Sequence, residues 1–396
     1  MPEILAIVGG TCVLPETELA DSLLVVEGDR IAWIGPRAGN DPPPGARRLD
    51  ATGLFLFPGF IDTHVHGTHG DDVMLDGVEG IRRIARNFLR SGTTAWLPTT
   101  IAARRAELLR AIEACVAARE RPGDGAEIVG LHIEGPYLNL ARKGAQPAEG
   151  IRDPDRDECD ELLAAAAGLA RVMTLAPELP GGIELVRHLR QRGIIPSLGH
   201  SDADYDTALA AIEAGATHAT HLFNQMGGLH HREPGLAAAC LTEDGIVAEL
   251  IVDGVHVAPA MVRLALRAKR PERIALITDA MAATGMPDGS YRLGSQTVFV
   301  QGNRCTLADG TLASSVLTME RGAANLAAFA GAERVAVARM ASLVPARIAG
   351  CADRKGTLAV GKDADLALLT GDYDVVATIA RGRIAYLAPA GRARLA

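Results

Sequence analysis

The feature that most limits how this chain can fold is a repeated alternation of strand and helix signals between residues 58 and 354. A strand at Phe60–Val65 follows Pro58-Gly59, and an amphipathic helix over 78–90 stops at Ser91-Gly92. Further strands are read at 93–98, 127–133, 172–176, 194–198, 217–221, 246–252 and 273–278. Helices are read between them at 104–120, 158–169, 183–192, 205–214, 236–241 and 259–268, then at 319–329 and 334–349 after a β-rich insert over 291–312. Eight strand-then-helix units in about 290 residues predict an α/β fold, a closed (β/α)8 TIM-type barrel with active-site residues at the C-terminal strand ends. A doubly wound open sheet is the alternative, but no G-x-G-x-x-G follows the first strand.

The flanks read differently. Residues 1–57 are β-rich: Ile4 to Leu14 is one apolar run, and 23–26 and 31–34 flank the turn Glu27-Gly28-Asp29-Arg30. Residues 355–396 are β-rich again, with strands at 364–369 and 375–387. Neither flank has enough strands to stand alone, so both termini are expected to meet in one small β-sandwich domain beside the barrel, the catalytic domain covering 58–354. A net charge of −8 argues against general nucleic-acid or acidic-membrane partners, while leaving room for a local anion site. Six scattered cysteines without a C-x-x-C suggest a reducing, cytoplasmic setting. No signal peptide or membrane span is expected.

The candidate chemistry sits at the strand ends. His64 and His66 are two apart on the first strand, so both face the same side and can share a metal. Glu134 ends the third strand, His200 the fifth, His221 the sixth, His256 follows the seventh and Asp279 ends the eighth. In a barrel these converge on one mouth. Capping or turn roles explain each residue singly, but not their shared position. His69, His188, His230 and His231 are read as solvated, and His132 and His218, within strands and out of step with the site, as structural. Histidines and carboxylates without cysteine fit a hydrolytic metal site, with Asp279 passing a proton from water to a leaving amine.

The runs His64-Val65-His66, His132-Ile133-Glu134-Gly135-Pro136, Gly199-His200-Ser201, His221-Leu222-Phe223-Asn224, Asp253-Gly254-Val255-His256 and Thr278-Asp279-Ala280 resemble the amidohydrolase superfamily, and within it the N-acetylglucosamine-6-phosphate deacetylases. The resemblance implies one or two divalent metals per subunit, zinc or iron. Glu134, His200 and His221 would hold the first, His64 and His66 the second, with Glu134 able to bridge. It implies that Asp279 is the general base and acid and that His256 polarises the acetyl carbonyl. Asn224 and Arg232 would bind phosphate, and Ala145, Leu312, Ala313 and Ser314 would border the substrate. It also implies a homodimer in which Arg232 can serve the neighbouring site. Three positions depart from the usual pattern: Gln146 stands for His, Gln225 for Ala and Ser314 for Gly. They are expected to border the sugar rather than the metal, which leaves the sugar epimer open, with N-acetylgalactosamine-6-phosphate as the alternative. A cyclic-amide hydrolase is disfavoured because the fourth strand ends at Ala176-Pro177-Glu178 without the lysine such enzymes carbamylate. A non-catalytic scaffold is disfavoured because no ligand position is lost.

Overall fold

The computed structural model describes residues 3–395. Its centre is a ring of parallel strands: β1 (Phe60–Val65), β2 (Thr93–Pro98), β3 (Leu131–Glu134), β4 (Ala170–Leu175), β5 (Ile195–Leu198), β6 (His218–Ala219), β7 (Val247–Ile251) and β8 (Ile274–Ile277). β1 pairs with β2, and β3 to β8 pair in sequence. Two joins close the ring. Thr99 bridges to His132, and Val65 bridges to Ala280 while the Asp279 amide donates to the His64 carbonyl at 2.9 Å. The predicted third strand is broken, with Glu127–Ile128 pairing to β2 before Gly130 and β3 resuming afterwards.

Helices α1 (Gly77–Phe88), α2 (Arg105–Glu120), α3 (Arg156–Ala165), α4 (Gly182–Gln191), α5 (Tyr205–Glu213), α6 (Gly235–Thr242), α7 (Pro259–Ala268) and α8 (Met319–Ala330) alternate with the strands. Their boundaries follow local chemistry. α1 runs on into a short 3-10 turn that ends at Gly92, whose φ of 75° suits the residue without a Cβ. α3 begins two residues earlier than expected because the Asp155 carboxylate accepts from the amides of Asp157 and Glu158. The helix expected over 334–349 is interrupted by a π-helical turn at Arg339–Leu343. His188, expected to be solvated, is buried on α4 with Nε2 2.7 Å from Asp160. His69 is half-buried against Thr68, whereas His230 and His231 are exposed.

Both ends of the chain share one six-stranded sheet, in the order 383–387, 375–380, 366–369, 55–58, 11–13, 18–19. A second sheet orders 30–36, 22–27, 4–8 and 47–50. Leu5, Ile7, Leu24 and Ile31 of the second sheet form one buried cluster with Leu56, Leu366, Leu368 and Ile379 of the first. The apolar run over 4–14 is therefore two strands in different sheets. Gly9 (φ 83°) and Gly10 make the crossing, and a Cβ on Gly10 would fall 2.3 Å from the Leu56 side chain. The β-rich insert is an antiparallel sheet of 289–293, 296–301 and 304–306 that leans over the barrel mouth, tied there by the Gly294 amide donating to Asp72 at 3.0 Å. Among the described residues, no helix is long and apolar enough to cross a membrane.

Candidate active site

The strand ends turn sharply. His200, His221 and Asp279 have φ of 47°, 30° and 51°, a left-handed backbone that residues with a Cβ seldom adopt. Such strain persists where surrounding structure enforces it, commonly at functional sites. Here it follows β5, β6 and β8, the three strands whose next polar residues close on the mouth. The result is a triangle: Glu134 Oε1 lies 3.1 Å from His221 Nε2 and 3.2 Å from His200 Nε2, and those two nitrogens are 3.0 Å apart. Atoms about 2.0 Å from one tetrahedral centre stand roughly 3.3 Å apart, so the triangle is close to the ligand set of a single ion. Beside it, His66 Nε2 lies 3.2 Å from Asp279 Oδ1, and His64 Nε2 lies 3.5 Å from Glu134 Oε1 and 3.8 Å from Asp279 Oδ1.

The other ring nitrogens explain the aim of these imidazoles. His66 Nδ1 donates to the Thr99 carbonyl at 3.1 Å and His200 Nδ1 to the Arg142 carbonyl at 2.8 Å. Each Nε2 is thereby left with its lone pair towards the mouth, the arrangement that metal-ligating histidines use. His64 Nε2 is buried and has no hydrogen-bond partner, an orphan that a cation would satisfy.

The charge balance points the same way. Glu134, Glu249 and Asp279 are buried, and among the described residues their ion-pair partners are histidines, with no lysine or arginine. Burial would raise the Asp279 pKa, but the His66 hydrogen bond and the nearby His64 and His221 rings push it down to about 2. Burial would lower that of His64, but the Glu249 and Glu134 carboxylates raise it well above its usual value. A concentration of buried negative charge with donor atoms at this spacing fits a divalent cation.

A pocket over these groups is lined by His66, Glu134, Ala145, Gln146, His200, His221, Asn224, Gln225, His256, Asp279, Leu312 and Ser314. Four of the expected residues stand elsewhere or act differently. Ala313 does not line the pocket; it is buried behind the wall, in one cluster with Met281 and the lining residue Leu293. Arg232 is exposed in a neighbouring groove beside Arg142 and Asp202, outside this pocket. Gln146 and Ser314, expected to border the sugar alone, touch the metal-type residues. Gln146 Nε2 donates to Glu134 Oε2 at 2.6 Å while its Oε1 accepts from the Ala102 amide at 2.7 Å, and Ser314 Oγ donates to the Asp279 carbonyl at 2.5 Å. A glutamine side chain holds a donor and an acceptor at once, so Gln146 links the carboxylate to the backbone of the loop after β2.

Sequence reading missed three carboxylates. Asp253 accepts from the amides of Val255 and His256 and from His256 Nδ1 at 2.7 Å, turning that ring's Nε2 towards the pocket. Glu178 accepts from Asn139, Ser201 and the Asp202 amide, bracing the loop behind His200. Glu249, on β7, accepts from His64 Nδ1 at 2.8 Å. His132 was set apart from the site, but two residues from Glu134 on one strand it shares its phase, and its ring lies against that of His64 with centroids 4.6 Å apart. His218 hydrogen-bonds to Ser197 through Nδ1, but its Nε2 has no partner.

Comparison with known proteins places this geometry in a family. The Amidohydrolase family pattern matches residues 55–385. The N-acetylglucosamine-6-phosphate deacetylase of Bacillus subtilis (strain 168) is 42% identical over 335 residues, covering 84% of this chain and 85% of that protein. The N-acetylgalactosamine-6-phosphate deacetylase of Escherichia coli O157:H7 is 40% identical over 330 residues, covering 83% and 87%. Among solved structures, an Asp-to-Ala mutant of the Mycobacterium smegmatis N-acetyl-D-glucosamine-6-phosphate deacetylase, in complex with N-acetyl-D-glucosamine-6-phosphate, superposes with a TM-score of 0.90 at 35% identity, covering 97% of this chain and 99% of that one.

Proposed function

Because the chain belongs to the Amidohydrolase family, and within it to the N-acetylglucosamine-6-phosphate deacetylases, we propose that it hydrolyses the acetamide of N-acetylglucosamine-6-phosphate to glucosamine-6-phosphate and acetate in amino-sugar catabolism. The observation that carries this reading is the closing of Glu134 Oε1 and the Nε2 atoms of His200 and His221 on one point, with the Asp279 carboxylate alongside.

Glu134, His200 and His221 would hold one divalent ion, zinc or iron, and His64 and His66 a second. Such an ion lowers the pKa of a bound water to about 7 and polarises a carbonyl. The chain's own residues do the rest. Asp279 accepts the proton of the attacking water and returns it to the leaving nitrogen, so that the amide carbon–nitrogen bond breaks to acetate and a free amine. His256, oriented by Asp253, donates to the acetyl oxygen as negative charge builds there. Asn224, at the pocket wall, and Arg232 bind phosphate. Arg232 lies outside its own pocket, which supports a homodimer in which it completes the partner's site. A cytoplasmic location fits six unpaired buried cysteine thiols.

The similarity to the Escherichia coli protein favours a second reading, in which the galacto epimer is the substrate. Comparing kcat/KM for N-acetylglucosamine-6-phosphate, N-acetylgalactosamine-6-phosphate and unphosphorylated N-acetylglucosamine decides between them. The gluco phosphate should give the highest value. A higher value for the galacto phosphate would transfer the assignment to it, and equal values with and without phosphate would remove phosphate recognition.

A further inference from the structure

Beneath the metal-type residues the barrel interior is polar where branched apolar side chains are usual. His132 Nε2 pairs with Thr174 Oγ1 at 2.7 Å, Thr174 with Thr220 at 2.7 Å, Thr220 with Ser197 at 2.5 Å and Ser197 with His218 Nδ1 at 2.8 Å. Glu249 stands at the open end of this chain. It is fully buried, and its Oε1 has no hydrogen-bond partner, lying 3.8 Å from His218 Nε2 and 3.9 Å from His132 Nδ1. Its Oε2 accepts from His64 Nδ1 at 2.8 Å and from the His221 amide at 3.2 Å. It does not line the pocket, so it touches neither substrate nor the space above the triangle.

We propose that Glu249 is the positioning residue of the second metal position, holding the His64 ring so that Nε2 alone faces the mouth and placing a full negative charge behind it. The inference rests on the reading of His64 and His66 as that position. A carboxylate accepts and cannot donate when ionised, so it fixes the proton of His64 on Nδ1 and frees Nε2 as a ligand. The same oxygen also accepts from the His221 backbone amide at 3.2 Å, whereas the His221 ring that faces the first position is not in contact with it. No lysine or arginine pairs with Glu249 among the described residues, so its charge is offset only through histidine rings, and a dication in contact with His64 supplies that offset. Orienting groups of this kind commonly contribute 10–100-fold to metal affinity.

The test is a stepwise titration of metal-free protein with Co2+, followed by its visible absorption and by competition with a chromophoric chelator, for the natural chain, Glu249→Gln and Glu249→Leu. Gln keeps an acceptor but loses the charge; Leu loses both. The natural protein should take two equivalents. The second should weaken about 10–100-fold in Glu249→Gln and further in Glu249→Leu, while the first stays within a few-fold and thermal unfolding of the metal-free Gln variant stays cooperative. Two equivalents of unchanged affinity in both variants would overturn the role of Glu249 alone. A natural protein that takes only one would remove the second position and the role of Glu249 with it. Equal weakening of both equivalents would make Glu249 a general support of the barrel, which also overturns the proposal.

Discussion

Asp279 is held between two demands. It must be ionised to accept a proton, and it must lie beside the metal-type histidines; its Oδ1 is 3.2 Å from His66 Nε2. Asp279→Asn keeps the shape and loses the proton acceptor, so turnover should fall by roughly 10²–10⁴-fold in metal-replete protein. Near-normal turnover in that variant, with metal content measured in the same sample, would exclude the assignment. Arg232 makes a different demand. Charge-assisted hydrogen bonds contribute about 1.5–3 kcal/mol each, so Arg232→Ala should raise KM for the phosphorylated sugar by about an order of magnitude or more. It should scarcely alter hydrolysis of the unphosphorylated sugar; equal losses on both would make Arg232 a structural group. At this scale the meeting of Glu134, His200, His221 and Asp279 was readable because polar residues at the strand ends of a barrel face one mouth. Glu249 was passed over because it lies mid-strand in Val247–Ile251, among apolar neighbours. That placement was itself the available signal, since a charge in a fully buried strand needs a partner. Gln146 was placed at the sugar because loop position does not reveal that a side chain folds back onto Glu134.

Among the elements, the loop after β1 shows how tightly the mouth is built. A Cβ added to Gly67 would lie 2.2 Å from the Asp71 carbonyl oxygen and 3.0 Å from the Ala282 amide nitrogen, both backbone atoms. Gly67→Ala should therefore cost about 1–3 kcal/mol, the usual range for overpacking, measured by urea unfolding. Gly123→Ala, where a Cβ meets nothing within 4 Å, should stay within about 0.5 kcal/mol. Equal effects at the two positions would mean that the approach at Gly67 is not rigid. The alternation of strands and helices was legible because the buried parallel strands read as short β-rich runs bounded by Gly and Pro, and the helices between them are longer. Tertiary demands were not. The apolar residues from Ile4 to Leu14 do not by themselves reveal that two sheets divide the run; the Gly9-Gly10 pair was the available signal. The π turn at Arg339–Leu343 keeps an ordinary helical pattern, and its Ser342 hydroxyl bonds to the Pro58 carbonyl 284 positions away.

In the whole molecule, barrel and sandwich are joined by charge as well as by chain. Lys355 is buried, with Nζ 2.9 Å from Glu127 of the barrel, 3.0 Å from Asp363 and also against Asp365; Arg354 adds contacts to Glu127 and Asp363. Burial would raise the Glu127 pKa, but Arg354 and Lys355 bring it from 4.5 down to about 2. Between those values the unfolded chain binds the proton and the folded one does not. This contribution is therefore complete above pH 4.5 and is lost as pH falls towards 2, roughly 3 kcal/mol over that window. Lys355→Met leaves the buried Asp365 without its cation, although Arg354 still reaches Glu127 and Asp363, and should destabilise by about 3–5 kcal/mol. Denaturant unfolding at pH 7 checks it, and a loss under 1 kcal/mol would show the network to be dispensable. The fold thus gathers buried carboxylates and histidines at the barrel mouth, and hydrolysis of the acetamide should depend on a divalent cation. The most direct measurement is acetate release from N-acetylglucosamine-6-phosphate by protein stripped of metal, verified by elemental analysis, and then given back Zn2+ or Fe2+. Release should fall to background on stripping and return with the ion; undiminished release from metal-free protein would contradict the account.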